Sequence, residues 1–370
     1  MVYLTEDCNL RCSYCFVHKR PRRMSARTAE RVVDFLLRRD LAPTEEAVQV
    51  NFFGGEPFLE LDRMEQILDG CRRGKPNARR AFQFSATTNG TIWSDRVGRI
   101  VSENGMVLLV SLDGGPSVTA ADRPLASGRS PHELIVSNLG HLKEVARDLL
   151  IRATFTPDGL DLPERVQALL DVGAPAVALF PVQECTWEQA LPEVERAYER
   201  LGQWFLEHSA PDSVPPLVVT RKLLLEWHRH LKTGSRPPRP CPVGHSLLGI
   251  DPEGQVMPCH RFLDRRQDHL GTLEDPGLRS EARRPYLALG SEDLADCSGC
   301  PAAGVCGGGC RLVPLQKGRL LHQVDPAYCL PMRAHHRAVV TLYDELARRG
   351  WLRSALAFPN SWSRYLQHTQ

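Results

Sequence analysis

Thr5-Glu6-Asp7-Cys8-Asn9-Leu10-Arg11-Cys12-Ser13-Tyr14-Cys15-Phe16 sets three cysteines at CxxxCxxC spacing within fifteen residues of the start. A cube of four irons asks for a soft thiolate on each iron. Three thiolates from one loop leave one iron without a protein ligand, and an open position marks a catalytic rather than a structural centre. Short cysteine clusters also bind zinc. A zinc site made of these three residues plus His18 is therefore the alternative at this point.

The 370 residues suffice for a large core and for two domains. Hydrophobic content of 42% and charged content of 24% are ordinary for a globular chain, and a net charge of +2 gives no sign of a nucleic-acid or membrane partner. No apolar run approaches the roughly 18 residues a membrane span needs. Val2-Tyr3-Leu4 leads straight into the cysteine loop with no charged n-region or apolar h-region, so the expected address is the reducing cytosol. There, twelve cysteines argue for metal ligation over disulfides.

The first two thirds alternate short β-type runs with helical stretches, the pattern of a parallel α/β fold. Strands are expected at Val2–Thr5, Val48–Phe53, Ala81–Thr87, Met106–Leu112, Leu150–Phe155 and Ala176–Phe180. One helix starts after Ser25 and places Ala29, Val32, Val33, Leu36 and Leu37 on one face; another runs from Ser94 to Gly105. A helical stretch from Trp187 to about Leu231 breaks near Pro211–Pro216. Residues 1–232 thus form a first domain, and the Pro-rich 233–240 reads as a linker. Residues 241–332 form a domain of little periodicity organised around metal, since seven of the twelve cysteines fall there; a helix from about Met332 to Arg349 and a tail complete 333–370.

Gly54-Gly55-Glu56-Pro57 directly follows the second strand. Two glycines permit close backbone approach to a ligand, and a carboxylate accepts hydrogen bonds from an ammonium group. Ser111 and Asp113 close the fourth strand, and Arg152 lies in the fifth. Parallel α/β folds work from the C-terminal ends of their strands, where these motifs fall. Downstream, Cys241 is followed by twelve residues, Gly254, four more and Cys259; then come Cys297-x2-Cys300-x5-Cys306-x3-Cys310, and finally Cys329.

The CxxxCxxC loop, the GGEP turn and the seven-cysteine pattern together resemble the radical S-adenosylmethionine (SAM) enzymes that carry a SPASM domain. The resemblance runs from Val2 to about Cys329. It implies an open (β/α)6 partial barrel, then a small Cys-rich SPASM domain and a C-terminal helix. It also implies three [4Fe–4S] clusters and SAM as cofactors. Cys8, Cys12 and Cys15 would hold the SAM-binding cluster, with Tyr14 against the adenine, and Gly54, Gly55, Glu56 and Pro57 would hold the SAM amino group. Ser111 and Arg152 would bind its ribose and carboxylate, a guanidinium suiting a carboxylate through a bidentate fork. Cys297, Cys300, Cys306 and Cys329 would hold an outer auxiliary cluster, and Cys241, Cys259 and Cys310 an inner one. Reductive cleavage of SAM would give a 5′-deoxyadenosyl radical that takes hydrogen from a precursor peptide or protein. The bond expected is an intramolecular crosslink, thioether or carbon–carbon; the same-family alternative is oxidation of a sulfatase Ser or Cys to formylglycine. A zinc-binding interaction protein is the alternative of another class.

Departures from the family pattern matter. Leu247 stands where some sulfatase-maturing members have a fourth inner-cluster ligand, so that cluster is one ligand short unless Cys185 supplies it; Cys185 also reads as a buried small hydrophobe. Cys71 reads as core. His260 follows Cys259 where sulfatase maturases carry an Asp, as a base or as support for a cluster. With Asp113 it is the candidate catalytic residue. His18-Lys19-Arg20-Pro21-Arg22-Arg23 reads as a solvated loop, or as the grip on an acidic leader peptide. The partner implied as electron donor is a flavodoxin or ferredoxin; with no room ahead of Cys8 for a leader-binding domain, leader recognition is expected at the barrel mouth, on the C-terminal tail or through a separate leader-binding protein.

Overall fold

The computed structural model describes residues 1–38, 47–74, 81–234, 241–275, 278, 280–290 and 293–357. The expected linker, apart from Thr233 and Gly234, and the tail beyond 357 lie outside the described residues. Its strands are β1 (Val2–Thr5), β2 (Val48–Gly54), β3 (Phe82–Thr88), β4 (Val107–Ser111), β5 (Asp148–Phe155), β6 (Val177–Pro181), β7 (Gly249–Ile250), β8 (Gln255–Met257) and β9 (Gly271–Thr272). Its helices are α1 (Ala26–Leu37), α2 (Leu61–Gly74), α3 (Asp95–Glu103), α4 (Pro116–Asp122), α5 (His132–Val145), α6 (Leu162–Asp171), α7 (Leu191–Glu207), α8 (Val218–Thr233), α9 (Ser280–Ala288), α10 (Ala303–Cys306), α11 (Leu312–Gln316), α12 (Pro326–Arg348) and α13 (Leu352–Leu356).

The chain packs into two compact units. The first comprises 1–112, 116–150 and 243–288; the second comprises 113–115, 151–242 and 289–370. The 241–332 stretch is thereby divided between them.

In the first unit the strand order is β4-β3-β2-β1-β7-β8-β9. β1 to β4 run parallel, β7 is parallel to β1, and β8 and β9 return antiparallel. Strand β1 is buried along its whole length, and so reads as a continuous apolar run rather than an alternation. Ser25 caps α1 by accepting from the Thr28 amide at 3.0 Å, and Ser94 caps α3 by accepting from Val97. Val97, Ile100 and Val101 of α3 are buried, each contributing about 1.5–3 kcal/mol. On α1 the fully covered apolar residues are Ala29, Val32 and Phe35, whereas Val33 and Leu37 lie where α2 narrows at Gly70 and Gly74. A Cβ on Gly70 would meet Val33 at 2.6 Å. Cys71 is buried on the face of α2 that carries Met64, Ile67 and Leu68, as expected.

In the second unit β5 and β6 pair in parallel, with Arg152 opposite Ala178. Helix α12 packs on α7 and α8, and Tyr198 of α7 stacks on His335 of α12 at 4.4 Å. Two expectations need correction. The C-terminal helix begins at Pro326, not near Met332, because Pro326 occupies its first turn and Pro331 is accommodated inside it at the loss of one backbone bond. The 241–329 stretch is also more regular than its pattern suggests, holding β7 to β9 and α9 to α11. Strands of two or three residues are too short to display a period.

Candidate cluster and cofactor site

The loop after β1 is held from several sides by its own unit. From β2, the Gly55 amide donates to the Thr5 carbonyl and the Glu56 amide to that of Asp7, both at 2.9 Å. This contact is why both positions are glycine. A Cβ on Gly54, whose φ is +143°, would lie 2.2 Å from the Thr5 oxygen; one on Gly55 would lie 1.9 Å from the Asp7 oxygen. The close approach is therefore to the backbone of the cysteine loop itself. From the segment after α4, Arg11 donates to Pro124, Ser13 to Asp122, and Ala126 to Asn9.

Glu56 is fully buried beneath the loop. Its carboxylate accepts from the amides of Asn89 (2.7 Å) and Phe58 (3.0 Å) and from the Thr88 hydroxyl (2.8 Å). Burial outweighs these donors and raises its pKa to about 7. Thr88 ends β3, and Asn89 and Gly90 follow it. The Asn89 side-chain Nδ2 donates to Asn9 Oδ1 at 2.8 Å and reaches Cys8 Sγ at 3.7 Å, while its Oδ1 accepts from the Thr91 amide.

Of the three thiols, Cys8 is buried and Cys12 and Cys15 are half-buried. Burial, with the Glu56 carboxylate beside it, pushes the Cys8 thiol up to about 11. Such a thiol ionises only beside a cation, which suits a metal ligand. The Lys19 ammonium donates to Cys15 Sγ at 2.7 Å. His18, the fourth ligand of the zinc alternative, instead meets Asp264 at 2.6 Å. Among the described residues, no three His, Cys, Asp or Glu side chains converge on a point one metal ion would occupy. A cube taking one thiolate per iron does not ask that of them.

The remainder of the basic run is internally paired. Arg20 and Arg22 meet Glu6, which is fully buried; Arg20 also meets Asp264, Arg22 meets Glu253, and Arg23 meets Asp7 and Glu60. It is neither a free basic patch nor a merely solvated loop.

The other candidate residues lie as follows. The Tyr14 hydroxyl accepts from the buried Arg123 at 2.7 Å. Ser111 ends β4 and is half-buried. His260 is buried, its ring lying 5.8 Å from that of Phe16 and 5.1 Å from that of Phe53, with Nδ1 3.3 Å from Cys259 Sγ. In the second unit, Asp113 is fully buried, and its Oδ1 accepts from the Thr154 amide (2.8 Å) and hydroxyl (3.1 Å). The Arg152 guanidinium lies 5.2 Å over the Phe180 ring. Cys185 is half-buried.

Also in the second unit, the thiols of Cys297, Cys306 and Cys329 are all raised. Burial is the main cause; Cys300 adds to all three, and Cys297 to the other two. Cys329 reaches about 12. The four thiols thus lie near enough to act on one another, a donor set that suits a cationic metal centre. The sequence reading overlooked Arg311, which sits in the same place and is 1% exposed.

Comparison with known proteins bears on the fold and the family. The profile of the Radical SAM superfamily matches residues 2–158. The chain is 24% identical over 324 residues to the serine-type anaerobic sulfatase-maturating enzyme of Klebsiella aerogenes, covering 82% of this chain and 76% of the relative. It is 21% identical over 331 residues to the radical SAM cyclopropyl synthase TigE of Paramaledivibacter caminithermalis, covering 83% of this chain and 66% of that relative. In structure it is similar to native anSMEcpe with bound AdoMet and Cp18Cys peptide, with a TM-score of 0.76 at 17% identity, covering 94% of this chain and 98% of the other. That fold implies a [4Fe–4S] cluster and SAM. No helix among the described residues is long and apolar enough to cross a membrane. The chain carries a radical SAM domain at residues 2–158 and is a radical SAM enzyme.

Proposed function

We propose that the chain is a radical SAM/SPASM maturase that installs an intramolecular crosslink, thioether or carbon–carbon, in a ribosomally made peptide. The observation that carries the reading is the presence of two thiol sets, one in each unit. One is a three-thiol loop locked against Gly55, Glu56 and Asn89; the other is the four-thiol group of Cys297, Cys300, Cys306 and Cys329. By resemblance, Cys241, Cys259 and Cys310 hold a further cluster.

Cys8, Cys12 and Cys15 would hold the cluster, whose chemistry when bound would be the one-electron reduction of SAM that precedes hydrogen abstraction from the substrate. The protein's part is positional. Glu56 fixes the turns beneath the loop, Lys19 offers a cation to the Cys15 thiolate, and the paired Arg20, Arg22 and Glu6 close one side against water. Tyr14, Ser111 and Arg152 are assigned to SAM. Asp113, tied to Thr154, is assigned to holding the ends of its strands rather than to proton transfer. His260 packs between two aromatic rings against a cluster cysteine, which favours support of that thiolate over the role of base. The electron donor would be a flavodoxin or ferredoxin in the reducing cytosol.

A specific observation keeps formylglycine synthesis as the second reading: the sulfatase-maturating relative and the anSMEcpe fold both cover most of the chain. Reconstituted enzyme, SAM, dithionite and peptides encoded beside it separate the two. A crosslink appears as loss of two hydrogens with no aldehyde. A hydrazine-reactive aldehyde at Ser or Cys would overturn the crosslink reading.

A further inference from the structure

We propose that Arg311 is the fixed counter-charge of the auxiliary clusters, and that it raises their reduction potential. This rests on the reading of Cys297, Cys300, Cys306 and Cys329 as cluster ligands. Arg311 is among the largest fully buried side chains of the protein. Its Nε donates to the Gly309 carbonyl (3.3 Å), its Nη1 to those of Gln323 (3.1 Å) and Leu321 (3.5 Å), and its Nη2 to that of Gly308. Gly308 and Gly309 lie between Cys306 and Cys310, both with φ of +75°, so the ligand loop folds its own carbonyls around the guanidinium. A Cβ on Gly308 would lie 3.1 Å from Nη2, and glycine there is what lets the loop close on the cation.

Every acceptor among these is neutral, and no carboxylate among the described residues pairs with Arg311. Carbonyl dipoles solvate a cation but do not neutralise it, and an unneutralised buried charge is costly. The loop that encloses the cation carries Cys306 at one end and Cys310, the neighbour of Arg311, at the other, one cysteine from each auxiliary set. A cluster that gains an electron gains one negative charge, while no bond forms or breaks. A fixed cation held in the ligand loop favours the reduced form, which suits a centre that accepts the electron left when substrate is oxidised.

The test uses the full chain with Cys8, Cys12 and Cys15 changed to Ala, so that only auxiliary iron is read. Arg311 is compared with Arg311→Lys and Arg311→Met by iron content and by electron paramagnetic resonance in a dithionite titration. At the potential that half-reduces the parent, Arg311→Met should lower the ratio of reduced to oxidised cluster about tenfold, a shift of about 59 mV for one electron. Arg311→Lys should keep the ratio within about threefold. Loss of auxiliary iron in the Met variant alone would also support the assignment, since the charge would then be needed to assemble the clusters. Three results would overturn it: a Met ratio within about threefold of the parent, a Lys ratio that falls as far as Met, or iron lost from both variants, which would make the role one of packing. A parent with no reducible auxiliary cluster overturns the SPASM reading and this proposal together, and does so before residue 311 is touched.

Discussion

Replacing Gly55 by Ala is the sharpest probe of how the radical SAM site is built. The new Cβ would stand 1.9 Å from the Asp7 oxygen and 2.4 Å from its carbon, contacts with backbone that no rotamer change relieves. Either the turn after β2 or the cysteine loop must move. Overpacking of this kind costs about 1–3 kcal/mol, occasionally more. If the loop moves, the bonds from Gly55 to Thr5 and from Glu56 to Asp7 are also lost, adding about 0.5–1.5 kcal/mol each. The sum, about 2–6 kcal/mol, is a large part of a typical stability of about 5–15 kcal/mol, and it falls on the loop that carries three ligands. Gly140 is the control. It lies inside α5 with nothing within 4 Å of an added Cβ, so Gly140→Ala should be neutral or stabilise by up to about 1 kcal/mol. The assay is iron per chain and SAM affinity by calorimetry after identical anaerobic reconstitution, with thermal unfolding alongside. Gly55→Ala should lose the iron of one cluster together with SAM binding and keep the auxiliary iron. If it bound iron and SAM like the parent, the tight approach would not be what positions the loop.

Changing Cys8, Cys12 and Cys15 together to Ala should abolish 5′-deoxyadenosine formation while the iron of the second unit persists; deoxyadenosine from the triple variant with dithionite would sink the assignment. Arg152→Ala should weaken SAM binding by about 2–5 kcal/mol, as for a desolvated carboxylate contact, without changing iron content. A change within about twofold would make it no more than an exposed pair, of about 0–1 kcal/mol. Glu56, whose pKa is raised from 4.5 to about 7, binds more protons folded than unfolded, so its share of stability is complete below about 4.5 and lost as pH rises through about 7. Denaturant titrations should show that slope in the parent and not in Glu56→Gln, which should also lose about 1–3 kcal/mol because its amide meets the Asn89 N–H donor to donor; equal slopes would refute it.

The strands were legible because parallel strands covered on both faces read as apolar runs, and β1 to β6 fall within two residues of their expected ends. The cysteine sets stand out in the chain for another reason: where cysteines hold a metal, the metal imposes their spacing whatever the backbone does between them. What stayed hidden depends on partners distant in sequence. Asn89 lies 81 residues from Cys8, and nothing near Asn89 in the chain announces a thiol beneath its amide. The glycines of the GGEP turn were read as room for a ligand, and the chain alone did not show that an added Cβ there would also strike Thr5 and Asp7. A glycine signals that something approaches closely, not what. Arg311 was missed because an Arg after a cysteine ligand reads as solvated, and only its burial marks it.

Charge was the feature least readable from the chain. Five of the six residues His18 to Arg23 carry basic side chains, a run that in isolation looks like a docking patch for acid. In place, His18, Arg20, Arg22 and Arg23 are met by Asp264, Glu6, Glu253, Asp7 and Glu60, and Lys19 by a cysteine. An acidic peptide would have to displace these partners. The exposed ones cost it little, since a surface pair contributes about 0–1 kcal/mol, but Glu6 is fully buried, and stripping both arginines from it would leave a carboxylate uncompensated inside the fold. Burial already raises the Glu6 pKa despite those two neighbours. The arginines are therefore committed to keeping Glu6 ionised at the base of the cysteine loop, where the Glu6 amide also donates to the Arg22 carbonyl and ties the far end of the loop to its start. The basic run thus closes the cysteine loop, and an acidic segment would have to bind on other surfaces.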